Sequence, residues 1–121
     1  MLAFARRFIW LVILAFASSP LFSGPVAADL RLIMVTSDHC PFCQLWERGV
    51  GVIYDKSPYA SDLPLTRIEF GTAIPASIKI TTPVIGTPTF IILGDDRELD
   101  RISGYEDAEM FWWWLSDYSN Q

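Results

Sequence analysis

The chain has 121 residues, enough for one domain, with 51% hydrophobic residues and a formal net charge of −5. It holds no basic cluster, which argues against nucleic acid and anionic membrane surfaces as partners. Both of its cysteines, Cys40 and Cys43, lie in one C-x-x-C. A bridge closing so short a loop removes little chain entropy from the unfolded state, so the pair is better explained by chemistry than by stapling.

The first 28 residues carry two charges, Arg6 and Arg7, followed by an apolar run over residues 8–17 and then Ser18-Ser19-Pro20. A basic start, a short apolar stretch and the small residues Val26-Ala27-Ala28 match a secretory signal peptide, with the mature chain beginning at Asp29. The apolar run falls well below the roughly 20 residues that span a bilayer. Residues 29–121 keep all 14 acids and lose two of the nine bases, for a net charge near −7. The expected organisation is a signal segment at 1–28 and one domain at 29–121. The mature protein is expected in the periplasm, without stable membrane insertion, where thiols can oxidise.

Residues 30–35 form a nearly continuous apolar run, suited to a strand buried on both faces. Thr36-Ser37-Asp38 ends it as a polar turn able to cap a helix. A helix is predicted from about Cys40-Pro41 to Tyr54, with proline in its first turn. Phe42, Leu45 or Trp46, Gly49 and Ile53 recur on it at helical spacing. Residues 63–70 alternate as a second strand, with Leu65, Arg67 and Glu69 opposite Thr66, Ile68 and Phe70. Residues 71–87 read as either an irregular connector or one with a short helix near 75–79. Residues 89–93 form a buried strand, Gly94-Asp95-Asp96-Arg97 a turn, and residues 98–102 the returning hairpin strand. A last helix is predicted from Glu106 to about Tyr118. Its core stripe is Ala108, Phe111, Trp114, Leu115 and Tyr118, which leaves Trp113 on the solvent side. The order predicts an α/β fold with a mixed central sheet of about four strands flanked by helices.

A C-x-x-C serves zinc sites as well as redox sites, so its placement matters. Here it falls at the junction of a buried strand and a helix start. Free backbone N–H groups and the helix dipole favour a thiolate there. Cys40, at the first turn, is the expected exposed nucleophile, and Cys43, deeper in, the buried resolving thiol. His39, the chain's one histidine, directly precedes Cys40; it either assists the thiolate or sits at an exposed polar turn. A metal reading takes His39, Cys40 and Cys43 as three ligands for zinc or copper but has no obvious fourth.

These features resemble the thioredoxin superfamily over the whole mature chain. The Pro41-Phe42 dipeptide is similar to that of glutaredoxins. Gly86-Thr87-Pro88-Thr89-Phe90 is similar to the family's cis-proline segment. The resemblance implies a thioredoxin-like fold, a cis Thr87-Pro88 bond beside the cysteines, and a Thr87 backbone that pairs with an extended substrate. It also implies thiol-disulfide oxidoreductase activity of the reductase or isomerase type. Cys40 and Cys43 would then be catalytic, His39, Pro41 and Phe42 would modulate the site, and no cofactor beyond the redox-active disulfide would be required.

Expected partners are exported proteins with disulfides or reactive thiols, and a membrane or periplasmic electron donor. Two departures bear on this. Met34 stands where thioredoxins carry a buried acid, and Ser103-Gly104-Tyr105-Glu106-Asp107 keeps only one glycine of the glutathione-binding pattern of glutaredoxins. The export pattern resembles that of periplasmic thioredoxin-like proteins associated with sulfur oxidation or cytochrome maturation. An exported metal carrier and a non-catalytic redox-sensing interaction protein are the rival classes. Intact mass of the exported protein checks the leader: it should correspond to a chain beginning at Asp29.

Overall fold

Four strands and three short helices follow one another in a computed structural model that describes residue 20 and residues 27–119. The predicted signal segment lies almost entirely outside these residues. Strand β1 (Leu30–Thr36) leads into α1 (Pro41–Trp46), a π-helical turn (Glu47–Gly51) and a closing turn α2 (Val52–Tyr54). Then come β2 (Leu65–Glu69), β3 (Thr89–Gly94), β4 (Arg97–Ser103) and α3 (Ala108–Ser116). The sheet order is β2-β1-β3-β4, with β1 and β2 parallel and the other pairs antiparallel. This is the expected mixed sheet, reached by a helical crossover and a hairpin.

The apolar runs of β1 and β3 are explained by burial on both faces. Leu32, Met34, Phe90 and Ile92 face a core completed by Trp46, Val50, Tyr54, Phe111, Trp114 and Leu115. Ile33, Val35, Ile91 and Leu93 face the other side, where Ile68, Ile78, Ile80 and Val84 cover them. All the helices therefore pack on one face, and the connector between β2 and β3 covers the other. A fully buried aliphatic side chain contributes about 2 kcal/mol; Ile78, Ile80 and Val84 are partly buried and contribute less each, and together they help hold a connector that makes few backbone bonds of its own.

Two expectations require correction, and the open alternative for residues 71–87 is decided in favour of the irregular connector. The buried face of the first helix is Cys43, Trp46, Val50 and Tyr54; Phe42, Leu45 and Ile53 are exposed. The two stripes share the helical spacing and differ by one place, so the face is chosen by what the sheet side offers to pack against, with Trp46, Val50 and Tyr54 joining Phe90 and Phe111 in the core. No helix forms at 75–79: Ile78 N–H bonds to Pro75 O (2.9 Å) in a single turn, and Lys79 bridges in parallel to Arg97 of β4. The last helix starts at Ala108, because the Asp107 side chain accepts from Met110 N–H (2.9 Å) as its N-cap.

The β3–β4 turn places Asp95 and Asp96 at φ of 50° and 64°, a left-handed pair that Asp tolerates better than most residues. Past the turn the register slips, so that Leu93 pairs with Glu98 and Ile92 with Asp100. The unpaired Leu99 lies over Gly94, where an added Cβ would meet Leu99 Cδ1 at 2.7 Å. On α3, Phe111, Trp114 and Leu115 are buried and Trp113 is 64% exposed, as its spacing predicts. Trp112 is half-buried and stacks on both Tyr54 and Tyr59, with ring centroids 6.0 and 5.6 Å away.

Asp100 joins β4 to α3. Its Oδ2 accepts from Trp114 Nε1 (2.9 Å) and from the Tyr118 hydroxyl (2.6 Å), and its Oδ1 from Arg101 N–H (2.7 Å). Burial pushes the carboxyl up, but these bonds outweigh it and hold Asp100 below the usual carboxylate range. Burial and the bond to Asp100 push the Tyr118 hydroxyl up to about 12. Asp100→Ala should cost about 2 kcal/mol, because both donors lose their acceptor, and should lower the urea midpoint at unchanged slope. A depressed carboxylate contributes stability that is complete above its unfolded value near ~4 and is lost as pH falls through its lower folded value. Acidification below about pH 4 should therefore destabilise the wild type more than Asp100→Ala, as read by urea titration across pH.

Candidate active site

Three residues, Ser37, Asp38 and His39, separate the end of β1 from Cys40. Cys40 N–H bonds to Ser37 O (3.3 Å), and Gln44 Nε2 reaches back to Asp38 O (3.1 Å), which ties this loop to the helix. Cys40 is the N-cap residue of α1, with extended backbone (φ −102°, ψ 106°), and Pro41 follows in the first turn. Cys40 O takes the first helical bond from Gln44 N–H (3.1 Å).

The Cys40 sulfur fills the place that a serine or aspartate oxygen takes at other helix starts. It accepts a hydrogen bond from Cys43 N–H at 3.1 Å. Cys40 and Cys43 are joined as a disulfide, with Cα atoms 5.1 Å apart, and no cysteine is left free. The exposures run in the expected direction, 7% for Cys40 and 2% for Cys43, but the margin is narrow. Cys40 is thus far more covered than expected, because capping folds its sulfur back over the helix start.

The sheet register brings the second predicted segment to the same place. Val35, near the end of β1, pairs with Thr89, the first residue of β3. Thr87-Pro88, immediately before Thr89, therefore lies at the sheet end from which the cysteine loop departs. The Thr87-Pro88 bond is cis and Pro88 is buried. Pro88 O accepts from Gly104 N–H (2.7 Å), and Thr89 Oγ1 bonds to Gly86 O (2.7 Å). Gly104 has φ +88°, which a side chain would strain. The Thr87 N–H and C=O make no hydrogen bond among the described residues.

His39 is exposed and has no ion-pair or hydrogen-bond partner among the described residues. Pro41 is exposed, and Phe42 is 58% exposed, so the dipeptide between the cysteines faces outward. Among the described residues no three His, Cys, Asp or Glu side chains are grouped as metal ligands. Met34 is fully buried on β1, so no carboxylate occupies that position.

Several neighbours were not legible from spacing. Trp46, one turn beyond Cys43, is fully buried among Phe90, Phe111 and Tyr54, with ring centroids 5.2, 5.5 and 6.4 Å away. Its indole N–H has no hydrogen-bond partner among the described residues. The Arg67 guanidinium lies 5.8 Å from the centre of its ring and forks onto Glu47 at 2.7 and 2.9 Å. That hydrogen bond to Glu47 leads the causes that raise the Arg67 pKa. On the opposite sheet face, a cavity of about 680 Å³ opens between the sheet and the connector, lined by Val35, Ile68, Phe70, Ile80 and Val84 among others.

No protein-family model matches the sequence, and no curated protein does. Solved structures do. The periplasmic thioredoxin SoxS from Paracoccus pantotrophus, in its reduced form, superposes with a TM-score of 0.70 at 28% identity. The match covers 74% of this chain and 94% of that one. A mutant thioredoxin from Halobacterium salinarum NRC-1 matches at TM-score 0.55 and 18% identity, over 78% of each chain. Trxlp from Edwardsiella tarda EIB202 matches at 0.52 and 21%, over 74% of this chain and 82% of its own. The last two likenesses are of fold alone.

With the disulfide reduced, the Cys43 N–H and the helix start favour a charged sulfur on Cys40. Titrating the thiolate's ultraviolet absorbance should place the Cys40 midpoint below the free-thiol value of about 8.5, and Cys40→Ser should remove that transition.

Proposed function

Because the chain has a thioredoxin-like fold with its two cysteines joined at a helix start, we propose that it is an exported thiol-disulfide oxidoreductase acting on protein disulfides. The observation that carries this reading is the hydrogen bond from Cys43 N–H to the Cys40 sulfur, with Cys43 behind it in the core. It gives one sulfur the stabilisation of a nucleophile and leaving group, and keeps the other within reach as the resolving group.

In the reductive direction the Cys40 thiolate attacks one sulfur of a partner's disulfide. A Cys40–partner bond forms, the partner's S–S bond breaks, and its second sulfur leaves as a thiolate that takes up a proton. Cys43 then loses its proton and attacks Cys40. The Cys40–Cys43 bond forms as the mixed disulfide breaks, and the partner departs with two thiols. Two electrons have moved from this dithiol to the partner, and an electron donor of the membrane or periplasm returns them. Isomerisation uses the same first step. Thr87, whose backbone N–H and C=O make no hydrogen bond among the described residues, pairs with an extended partner segment as an added strand does. Pro41 and Phe42 form the outward rim of the site, and His39 stands beside it.

Periplasmic placement is supported by the leader pattern at 1–28 and by the likeness to a periplasmic thioredoxin. Among the described residues no helix is long and apolar enough to cross a membrane.

A Cys43→Ser variant tests turnover directly. Expressed in the exported fraction, it should accumulate mixed disulfides with partners through Cys40, resolvable by reducing agent and visible on non-reducing gels. The Cys40→Ser/Cys43→Ser double variant should accumulate none. A Cys43→Ser protein that traps nothing would count against turnover and in favour of a sensor without exchange chemistry.

A further inference from the structure

The segment carrying Thr87 is tied down unequally at its two ends. Downstream, Pro88 O bonds to Gly104 N–H and Thr89 enters β3. Upstream there is no strand or helix, and Ile85 is 91% exposed. Beyond the packing of Ile80 and Val84 on the sheet, the polar hold on the upstream end is a pair of side chains from β4. Glu98 Oε2 accepts from Thr81 N–H (2.6 Å) and Thr81 Oγ1 (2.9 Å). Arg101 forks onto the same carboxylate, with Nε to Oε1 at 2.6 Å and Nη2 to Oε2 at 3.0 Å. Its outer nitrogens continue to Thr82 O (2.8 Å) and Pro83 O (3.4 Å).

This is not an ordinary surface ion pair. The side chains of Arg101 and Glu98 are only 17% and 5% exposed, and their other hydrogen bonds go to Thr81, Thr82 and Pro83 of the connector. Only a planar fork can grip a carboxylate on one side and two carbonyls on the other. Three successive residues, Thr81, Thr82 and Pro83, are thereby fixed to β4 just before the arm at 84–87, in which Val84 packs on the sheet and Ile85 is exposed.

We infer that Arg101, acting with Glu98, is a positioning residue for the substrate-binding arm that ends at Thr87-Pro88. The inference rests on the oxidoreductase reading, in which an extended partner segment pairs with the Thr87 backbone. An arm held in place beforehand does not have to be ordered when the partner binds. The sulfur chemistry lies on a different element, since the Cys40 sulfur is bonded to Cys43 N–H, and it is independent of the clamp.

The test compares a protein disulfide with a small one, using the reduced full chain. Arg101→Gln should raise KM for insulin about tenfold, the factor that ordering one backbone residue on binding represents, with little change in kcat. Its rate with hydroxyethyl disulfide, which has no backbone to pair, should be unchanged. Arg101→Lys keeps the charge without the fork and should fall between. Backbone nitrogen relaxation should show residues 84–87 losing order in Arg101→Gln while β1 and β3 do not. Parallel losses with both disulfides, or an arm as ordered as in the wild type, would overturn the inference.

A wild type that reduces neither disulfide would instead overturn the oxidoreductase reading, and relaxation alone would then decide the positioning. If Arg101→Gln does not fold, Thr81→Val, which removes one donor to Glu98, is read in the same two measurements.

Discussion

Backbone pairing between β1 and β3 holds Val35 opposite Thr89, and both halves of the candidate site are placed from that contact. Neither strand can slip by one residue. A slip would exchange Leu32, Met34, Phe90 and Ile92 with Ile33, Val35, Ile91 and Leu93, and the two sets are packed against different partners. With the register set, three residues beyond Thr36 put Cys40 at that sheet end. On the neighbouring strand, Pro88 must lie at the same end because it directly precedes Thr89. Cys40 and Pro88, 48 positions apart in the chain, are brought to one end of the sheet by one ladder of hydrogen bonds.

The helix start then supplies the chemistry. A helix leaves its first N–H groups without intrahelical partners, and here the sulfur of the N-cap residue takes one of them. The same bond that caps the helix therefore favours charge on the sulfur. In the proposed chemistry, capping and activation would be one arrangement. They also explain why Cys40 is more covered than a free nucleophile at a loop would be.

The two faces of the sheet are finished by different means. Helices pack against one face with a cluster of aromatic rings at the centre, where Trp46 meets Phe90, Phe111 and Tyr54. An irregular connector covers the other. It packs the partly buried Ile78, Ile80 and Val84 on the sheet, and it is pinned by backbone bonds of Lys79 with Asp96 and Glu98 and by the Glu98–Arg101 pair. A covering of that kind follows the side chains that hold it, which is why a polar pair on β4 bears on an arm several residues away.

Local chemistry by itself determined a good part of this molecule. Continuous apolar runs specified β1 and β3, Gly94-Asp95-Asp96-Arg97 specified the hairpin turn, and the α3 stripe put Trp113 outward. The position of Cys40 and Cys43 between an apolar run and a proline-started helix was legible for the same reason, since each signal spans only a few residues. Tertiary structure decided the rest. Periodicity on the first helix could not anticipate a π turn or select the face carrying Cys43, Trp46, Val50 and Tyr54, because that choice is made by what the sheet offers to pack against. Nor could alternation in β4 single out Glu98 and Arg101, whose partners lie 17 to 19 residues upstream in a segment without regular structure. The dithiol was therefore readable as local chemistry, whereas its burial and the hold on the arm beside it depend on contacts between distant parts of the chain.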